Sequence, residues 1–66
     1  MLYSIKRVAE FLGKDHRTVV KMCKNRDILI VDDGGSSISE EQLDIFLKAL
    51  GYSGVEYYKT KEMANE

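Results

Sequence analysis

The sequence is poor in the residues that build metal sites and covalent cross-links. It contains one cysteine, Cys23, and one histidine, His16. A lone cysteine excludes an internal disulfide, and two isolated ligands do not make a zinc site. The doublet Gly34–Gly35 is not followed by Lys-Ser/Thr, so it is not a phosphate-binding loop. We therefore expect no enzyme activity, no catalytic residues, no metal and no cofactor.

Long apolar runs are also absent. Nothing approaches the roughly 18–20 consecutive apolar residues of a membrane span, and the N-terminus has no apolar stretch of signal-peptide type. A cytoplasmic protein without a membrane partner is expected. The chain has 66 residues, which is one small domain with a limited core. This size favours a binding module over an enzyme with a buried pocket.

The charge is unevenly distributed, although the net charge is only −1. Residues 1–26 hold seven bases and two acids, a balance of +5. Residues 27–66 hold three bases and nine acids, a balance of −6. This separation indicates a basic face for an anionic partner, and nucleic acid is the commonest such partner. A solvated charged face without a partner is the alternative.

Apolar spacing predicts two helices joined by a tight turn. Ser4 is the predicted N-cap of the first helix and Gly13 ends it. Asp15 is the predicted cap of the second helix, which ends near Asn25. Two short helices joined by a few residues that include glycine fit a helix-turn-helix. The apolar stripes are Ile5, Val8, Ala9 and Leu12 in the first helix and Val19, Met22 and Cys23 in the second.

A β-hairpin and a third helix are predicted to follow. The run Ile28–Val31 and the return strand Ser36–Ile38 flank Gly34–Gly35, which suits the positive backbone angles of a tight hairpin turn. Ser39 and Gln42 form the S-x-x-Q pattern of a capping box at the start of the third helix. The flanking staple and the apolar face of that helix comprise Ile38, Leu43, Phe46, Leu47 and Leu50, and Gly51 ends it.

The last fifteen residues show no clear period. In this interpretation residues 1–51 form the domain and residues 52–66 a C-terminal tail that contains Tyr57, Tyr58 and Met63. The favoured interpretation is a frayed or disordered end. The alternative is a docking segment that becomes ordered on a partner.

A helical wheel separates basic from apolar residues on the second helix. With His16 at 0°, Arg17, Val20, Lys21 and Lys24 fall between about 40° and 140°, away from the predicted core side. We call Arg17, Lys21 and Lys24 the basic stripe. We expect base-edge or phosphate contacts from Arg17 and Lys21, and contact of Val20 with a thymine methyl group. Further contacts to the DNA backbone are expected from Lys14, His16, Thr18 and Lys24.

Several short motifs occur in one order along most of the chain. They are an opening aromatic residue at Tyr3, "AEFLG" at Ala9–Gly13, "RTVVKM" at Arg17–Met22, the Gly-Gly turn, "ISEEQL" at Ile38–Leu43 and a closing "FL" at Phe46–Leu47. Together they make the segment similar to the small excisionase-type, MerR-like winged helix-turn-helix domains of phages and mobile elements.

The resemblance implies a mainly α fold with a two-stranded hairpin as the wing. In such domains the second helix lies in the major groove, and the wing lies along the backbone or in the minor groove. Members act as excisionases that bend DNA and recruit an integrase, or as small transcription regulators. The implied partners are double-stranded DNA and an integrase or another DNA-binding protein, in a bacterial or phage-infected cell. The oligomeric state stays open, and cooperative monomers on DNA are one arrangement.

The wing departs from the pattern of these domains. Its turn begins with the acids Asp32 and Asp33, and Ser37 stands where such proteins commonly carry a base. Either the wing stands off the DNA, or Ser36 and Ser37 make neutral hydrogen bonds to it. The alternative function is a protein-interaction module of the same fold, which binds a recombinase or repressor through the acidic wing and third helix.

Overall fold

The computed structural model describes residues 2–32 and 34–64, with side chains described through residue 61. Within these ranges the protein is mainly helical and has a small antiparallel sheet, in agreement with the predicted class. None of the described helices combines the length and the apolar character that a bilayer-spanning helix needs. The elements in chain order are β1 (Leu2–Ser4), α1 (Ile5–Leu12), α2 (His16–Asn25), β2 (Val31–Asp32), β3 (Ser36–Ser39), α3 (Glu40–Ala49) and α4 (Val55–Ala64).

The first two helices begin and end where the sequence predicts. Gly13 ends α1, and the Asp15 carboxylate accepts a hydrogen bond from the Arg17 backbone N–H at 3.1 Å to cap α2. Ser4 occupies the N-cap position of α1, but its hydroxyl makes no capping hydrogen bond, so that detail of the prediction is wrong. Ser4 is also the last residue of β1, where it is paired opposite Ser37. Opposed residues of antiparallel strands project from the same face of the sheet.

The sheet has three described strands rather than the predicted two. β3 is central and pairs antiparallel with β1 on one side and β2 on the other. A three-residue strand such as β1 is too short to give an alternating pattern, which is why the sequence did not indicate it. Gly34 and Gly35 form the turn of the wing with positive φ angles of 71° and 157°, as predicted. We use "wing" for β2, this turn and β3.

The strand predicted at Ile28–Val31 begins only at Val31. The Ile28 N–H donates to the Cys23 carbonyl at 2.9 Å, so Ile28 belongs to the end of α2. This 6→1 hydrogen bond is typical of a helix that closes with a left-handed residue. Here the left-handed residue is Asp27, with φ of 56°.

The predicted capping box of α3 forms only in part. The Ser39 hydroxyl accepts from the Gln42 backbone N–H at 3.3 Å, as expected. The Gln42 side chain does not return to Ser39. Its Oε1 accepts instead from the Leu29 backbone N–H at 2.9 Å. Gln42 therefore ties the segment before β2 to α3.

The C-terminal segment forms a helix, α4, so the favoured prediction of a frayed or disordered end is wrong for residues 55–64. Asp44 on α3 accepts from the Val55 N–H at 2.9 Å, and Tyr58 is 3% exposed. The Tyr58 ring lies 5.0 Å from the ring of Phe11 on α1. Tyr57 also contacts the Phe11 ring. Because two adjacent residues make this contact, the sequence of α4 shows no apolar stripe of helical period. The Met63 side chain and residues 65–66 lie outside the described part.

One core joins the helices and the sheet. From α2 it includes Val19 and Cys23, which are fully buried. The core comprises Ile5, Val8, Ala9, Val19, Cys23, Ile28, Ile38, Leu43, Phe46, Leu47, Val55 and Tyr58. The predicted apolar residues Leu12, Met22 and Leu50 are half-buried at its margin. The core side of α2 is therefore fixed, and with it the side that faces solvent.

Candidate functional site

The polar side of α2 faces solvent. Val19 and Cys23 are fully buried on the opposite side of the helix. Six of the sequence-predicted contact residues are exposed in the turn before α2 and along its length: Lys14, His16, Arg17, Thr18, Lys21 and Lys24. Val20 and the two wing serines are the others. Asp15 and Asn25 are exposed beside them, and the Asp15 carboxylate caps the helix. Apart from Val20, the exposed side of α2 therefore carries only polar and cationic side chains.

Val20 lies at the boundary between the two sides. It is half-buried and packs against the core. The prediction that it lies opposite the core is therefore wrong in part, because its wheel position of about 40° is the nearest of the set to the apolar side. Only part of its surface is available to a thymine methyl group.

The cations of the basic stripe, and Lys14 before it, are without a partner in the described part of the chain. Within the described residues, no ion pair or cation–π contact involves Lys14, Arg17, Lys21 or Lys24. Arg26, at the end of α2, differs because its guanidinium donates to the Met22 carbonyl at 3.3 Å. The stripe is therefore an exposed cationic surface along one face of α2.

A cleft of about 580 Å³ separates the turn of the wing from the first residue of α2. It brings together His16 and the wing serines, which the sequence predicts as separate contacts. It also contains Ser4 and Lys6, which the sequence does not indicate as contacts, because Ser4 precedes a helix as a cap would and Lys6 lies outside the basic stretch around α2. The lining residues are Ser4, Lys6, His16, Gly34, Gly35, Ser36 and Ser37.

The described acid of the wing, Asp32, does not line this cleft. Asp32 is exposed on the edge strand β2, paired opposite Ser36, and is not among the residues that line the cleft. Asp33 lies outside the described residues. Ser36 and Ser37 are half-buried on the central strand. The cleft is therefore bordered by Ser36 and Ser37 of β3 and not by Asp32 of β2.

Two acids of α3 are already engaged inside the protein. Glu40 accepts from Lys59 at 2.6 Å and from the Tyr3 hydroxyl at 3.0 Å, and these hydrogen bonds lower the pKa of its carboxyl group. Asp44 accepts from the Val55 N–H and pairs with Lys48 at 3.0 Å, and the same two contacts lower the pKa of Asp44. These carboxylates hold α4 and Lys48 in place. They are correspondingly less available to an external cationic partner.

The described residues offer no other reactive centre. No group of three or more His, Cys, Asp or Glu residues among them is arranged to hold a metal ion. Burial raises the pKa of the Cys23 thiol, so the reactive thiolate is disfavoured.

Comparison with protein-family models, with curated proteins and with solved structures finds no match for this chain.

Proposed function

We propose that the protein binds double-stranded DNA in a sequence-specific manner, with α2 in the major groove. The observation that carries this proposal is the exposed basic stripe, whose cations have no partner within the described residues. The element order is compatible with a winged helix-turn-helix, in which a second helix of this kind contacts bases. An acidic protein can bind DNA in this way because the local field of one face, not the net charge, attracts the partner.

The stripe has the geometry that a groove contact needs. Arg17, Lys21 and Lys24 are spaced by four and three residues, so they lie along one face of the helix. Long cationic side chains reach phosphates, and Arg17 or Lys21 can donate to the acceptors of guanine. Thr18 and the exposed part of Val20 lie beside them for backbone and thymine-methyl contacts.

The cellular role rests on the resemblance of Tyr3–Leu50 to excisionase-type, MerR-like domains. It is either excision of a phage or mobile element, with an integrase as protein partner, or control of transcription. Both roles need the same DNA contact by α2. They differ in what the remaining surface recruits.

A second candidate function is a protein-interaction module that binds a recombinase or repressor. The observation that favours it is the exposure of apolar side chains on the acidic half, where Leu29 is 71% and Ile45 is 53% exposed. The backbone of Leu29 is bound by Gln42, which lies one helical turn before Ile45. The engagement of Glu40 and Asp44 inside the protein weighs against it, so DNA binding is preferred.

The test is an electrophoretic shift on random-sequence duplex at low salt with two charge-matched variants. Arg17→Ala with Lys21→Ala removes two cations from the stripe, and Lys48→Ala with Lys61→Ala removes two from the acidic half. We expect the first variant to lose at least tenfold in affinity and the second to stay close to the parent. Equal losses would indicate that only net charge matters. No loss in either variant would promote the protein-interaction function.

A further inference from the structure

We propose that the cleft between the wing turn and α2 holds a phosphate of the DNA backbone, bound by Lys6 and Ser4 together with His16. This inference rests on the proposed function and adds two DNA-contacting residues that lie outside α2. The cleft is built from three separate segments of the chain: the junction of β1 and α1, the first residue of α2 and the wing.

The lining of the cleft has the chemistry of an anion site. Every lining residue with a side chain carries a hydrogen-bond donor: the ammonium of Lys6, the ring of His16 and the hydroxyls of the serines. Among the described lining residues there is no carboxylate and no apolar side chain. Charge-assisted hydrogen bonds from such groups to phosphate oxygens are the strong ones.

Two of these donors have no partner among the described residues. The Ser4 hydroxyl makes no capping bond to α1, although Ser4 stands at the N-cap position. Within the described residues Lys6 is exposed and forms no ion pair. Ser4 and Ser37 are directly opposed in the β1–β3 register, so both side chains project from one face of the sheet. Ser39 shows the contrast, because its hydroxyl caps α3.

The position of the cleft favours a backbone phosphate over a base or a small ligand. His16 is the first residue of α2, so the cleft opens beside the end of the helix that carries the basic stripe. A sugar–phosphate strand that borders a groove occupied by α2 passes between that helix end and the wing. The lining contains no aromatic ring on which a base could stack, whereas stacking is the usual contact of unpaired bases.

The experiment measures duplex affinity across a salt series for Lys6→Gln, Lys6→Arg and Ser4→Ala, with Lys48→Gln as charge-matched control. Losing one cation–phosphate contact lowers the log–log salt slope by about 1, and the affinity at low salt falls about tenfold. We expect this from Lys6→Gln, while Lys6→Arg and Lys48→Gln keep the parental slope. Ser4→Ala should weaken binding a few-fold without changing the slope, because a neutral donor releases no counterion. Thermal melts verify that all variants stay folded.

A second arm uses duplexes in which single phosphates are replaced by neutral methylphosphonates at successive positions. At the phosphate held in the cleft, the substitution should lower the affinity of the parent. It should not lower the affinity of Lys6→Gln further, because that variant has already lost the contact, and this is the coupling expected of two groups in contact. Equal losses for parent and Lys6→Gln at every position would overturn the inference. So would an unchanged slope for Lys6→Gln when Arg17→Ala weakens binding, and the proposed function would then still stand. Failure of the parent to bind duplex DNA would overturn the proposed function and this inference with it.

Discussion

The basic stripe on α2 and the lysines of the two last helices use their charges in opposite ways. The lysines of α3 and α4 are all held internally: Lys48 pairs with Asp44 at 3.0 Å, Lys59 pairs with Glu40 at 2.6 Å, and the Lys61 ammonium lies 5.5 Å from the centre of the Tyr57 ring. The cations of the basic stripe have no such partner within the described residues. Exposed ion pairs add little stability, so what this difference changes is which charges remain available to a partner.

The aromatic residues support the same contrast. Rings of Phe11, Tyr52, Tyr57 and Tyr58 contact one another at centroid distances of 5.0–5.8 Å and attach α4 to α1. The acidic half therefore uses its aromatic rings, its lysines and two of its acids to complete the fold. In the basic half, α2 contributes Val19 and Cys23 to the core and leaves the basic stripe exposed.

The largest expected effect is the salt dependence of DNA binding. If Lys14, Arg17, Lys21 and Lys24 contact phosphates, the log–log slope is about −3 to −4, so affinity falls roughly a hundredfold between about 50 and 200 mM salt. A fluorescence-anisotropy titration at several salt concentrations measures it. The variant Lys48→Ala with Lys61→Ala should keep this slope. A flat response with binding intact would break the contrast between the two halves.

The next prediction separates folding from recognition on α2 itself. Val19 is fully buried, so Val19→Ala should lower the free energy of unfolding by about 1–3 kcal/mol. Lys21 is exposed, so Lys21→Ala should leave the melt nearly unchanged and weaken DNA binding about tenfold. Thermal melts and duplex binding on both variants measure the two effects. A Lys21→Ala variant that binds as well as the parent would mean that α2 is not the reading helix.

The attachment of α4 to α3 is tested at Gly54. A methyl group on Gly54 would overlap the Asp44 carboxylate, and its φ of 129° is one that side chains rarely adopt. Gly54→Ala should therefore cost about 2 kcal/mol of unfolding free energy. Gly51→Ala is the matched control, because its φ of 97° is also strained but nothing lies within 4 Å of the added carbon. A cost at Gly54 no larger than at Gly51 would show that the contact with Asp44 yields easily.

The elements that the sequence predicted correctly are those specified by neighbouring residues. Asp15 and Ser39 cap α2 and α3 within one turn, and Gly34–Gly35 forms its turn without help from distant contacts. β1 and α4 were missed because their partners are far along the chain. Leu2 pairs with Ser39 across the sheet, and α4 depends on Asp44 and on Phe11.

The candidate site divides in the same way. The helical wheel predicts the exposed side of α2, because the spacing of apolar residues along a single helix is enough to identify its core side. It could not identify Lys6 and Ser4, which reach the cleft only when β1 pairs with β3 and brings the wing beside α1. The sequence predicts a capping hydroxyl at Ser4, whereas in the structure this hydroxyl makes no capping hydrogen bond.

A smaller change in stability is expected from two serines that stand at the N-caps of helices. The Ser39 hydroxyl caps α3, so Ser39→Ala should lower the unfolding free energy by about 1 kcal/mol. Ser4 makes no capping bond to α1, so Ser4→Ala should have almost no effect on stability. Chemical denaturation of the two variants under identical conditions gives both values. A loss at Ser4 equal to that at Ser39 would mean that its hydroxyl serves the fold and is not free for a ligand.

The smallest expected effect lies where the basic half meets the acidic half. Asp27 closes α2 with φ of 56°, whereas α1 and α3 close with the positive-φ residues Gly13 and Gly51. A side chain in this conformation is strained, so Asp27→Gly should stabilise the protein by about 0.5 kcal/mol after the greater freedom of glycine in the unfolded chain is subtracted. Asp27→Asn is the control, because it removes the same charge from the negative end of the helix dipole but keeps a side chain. Denaturation midpoints should rank Gly above Asn and Asn at or above the parent. If Asn matches Gly, the gain comes from charge; if Gly falls below the parent, the Asp27 side chain itself stabilises the junction between the two halves.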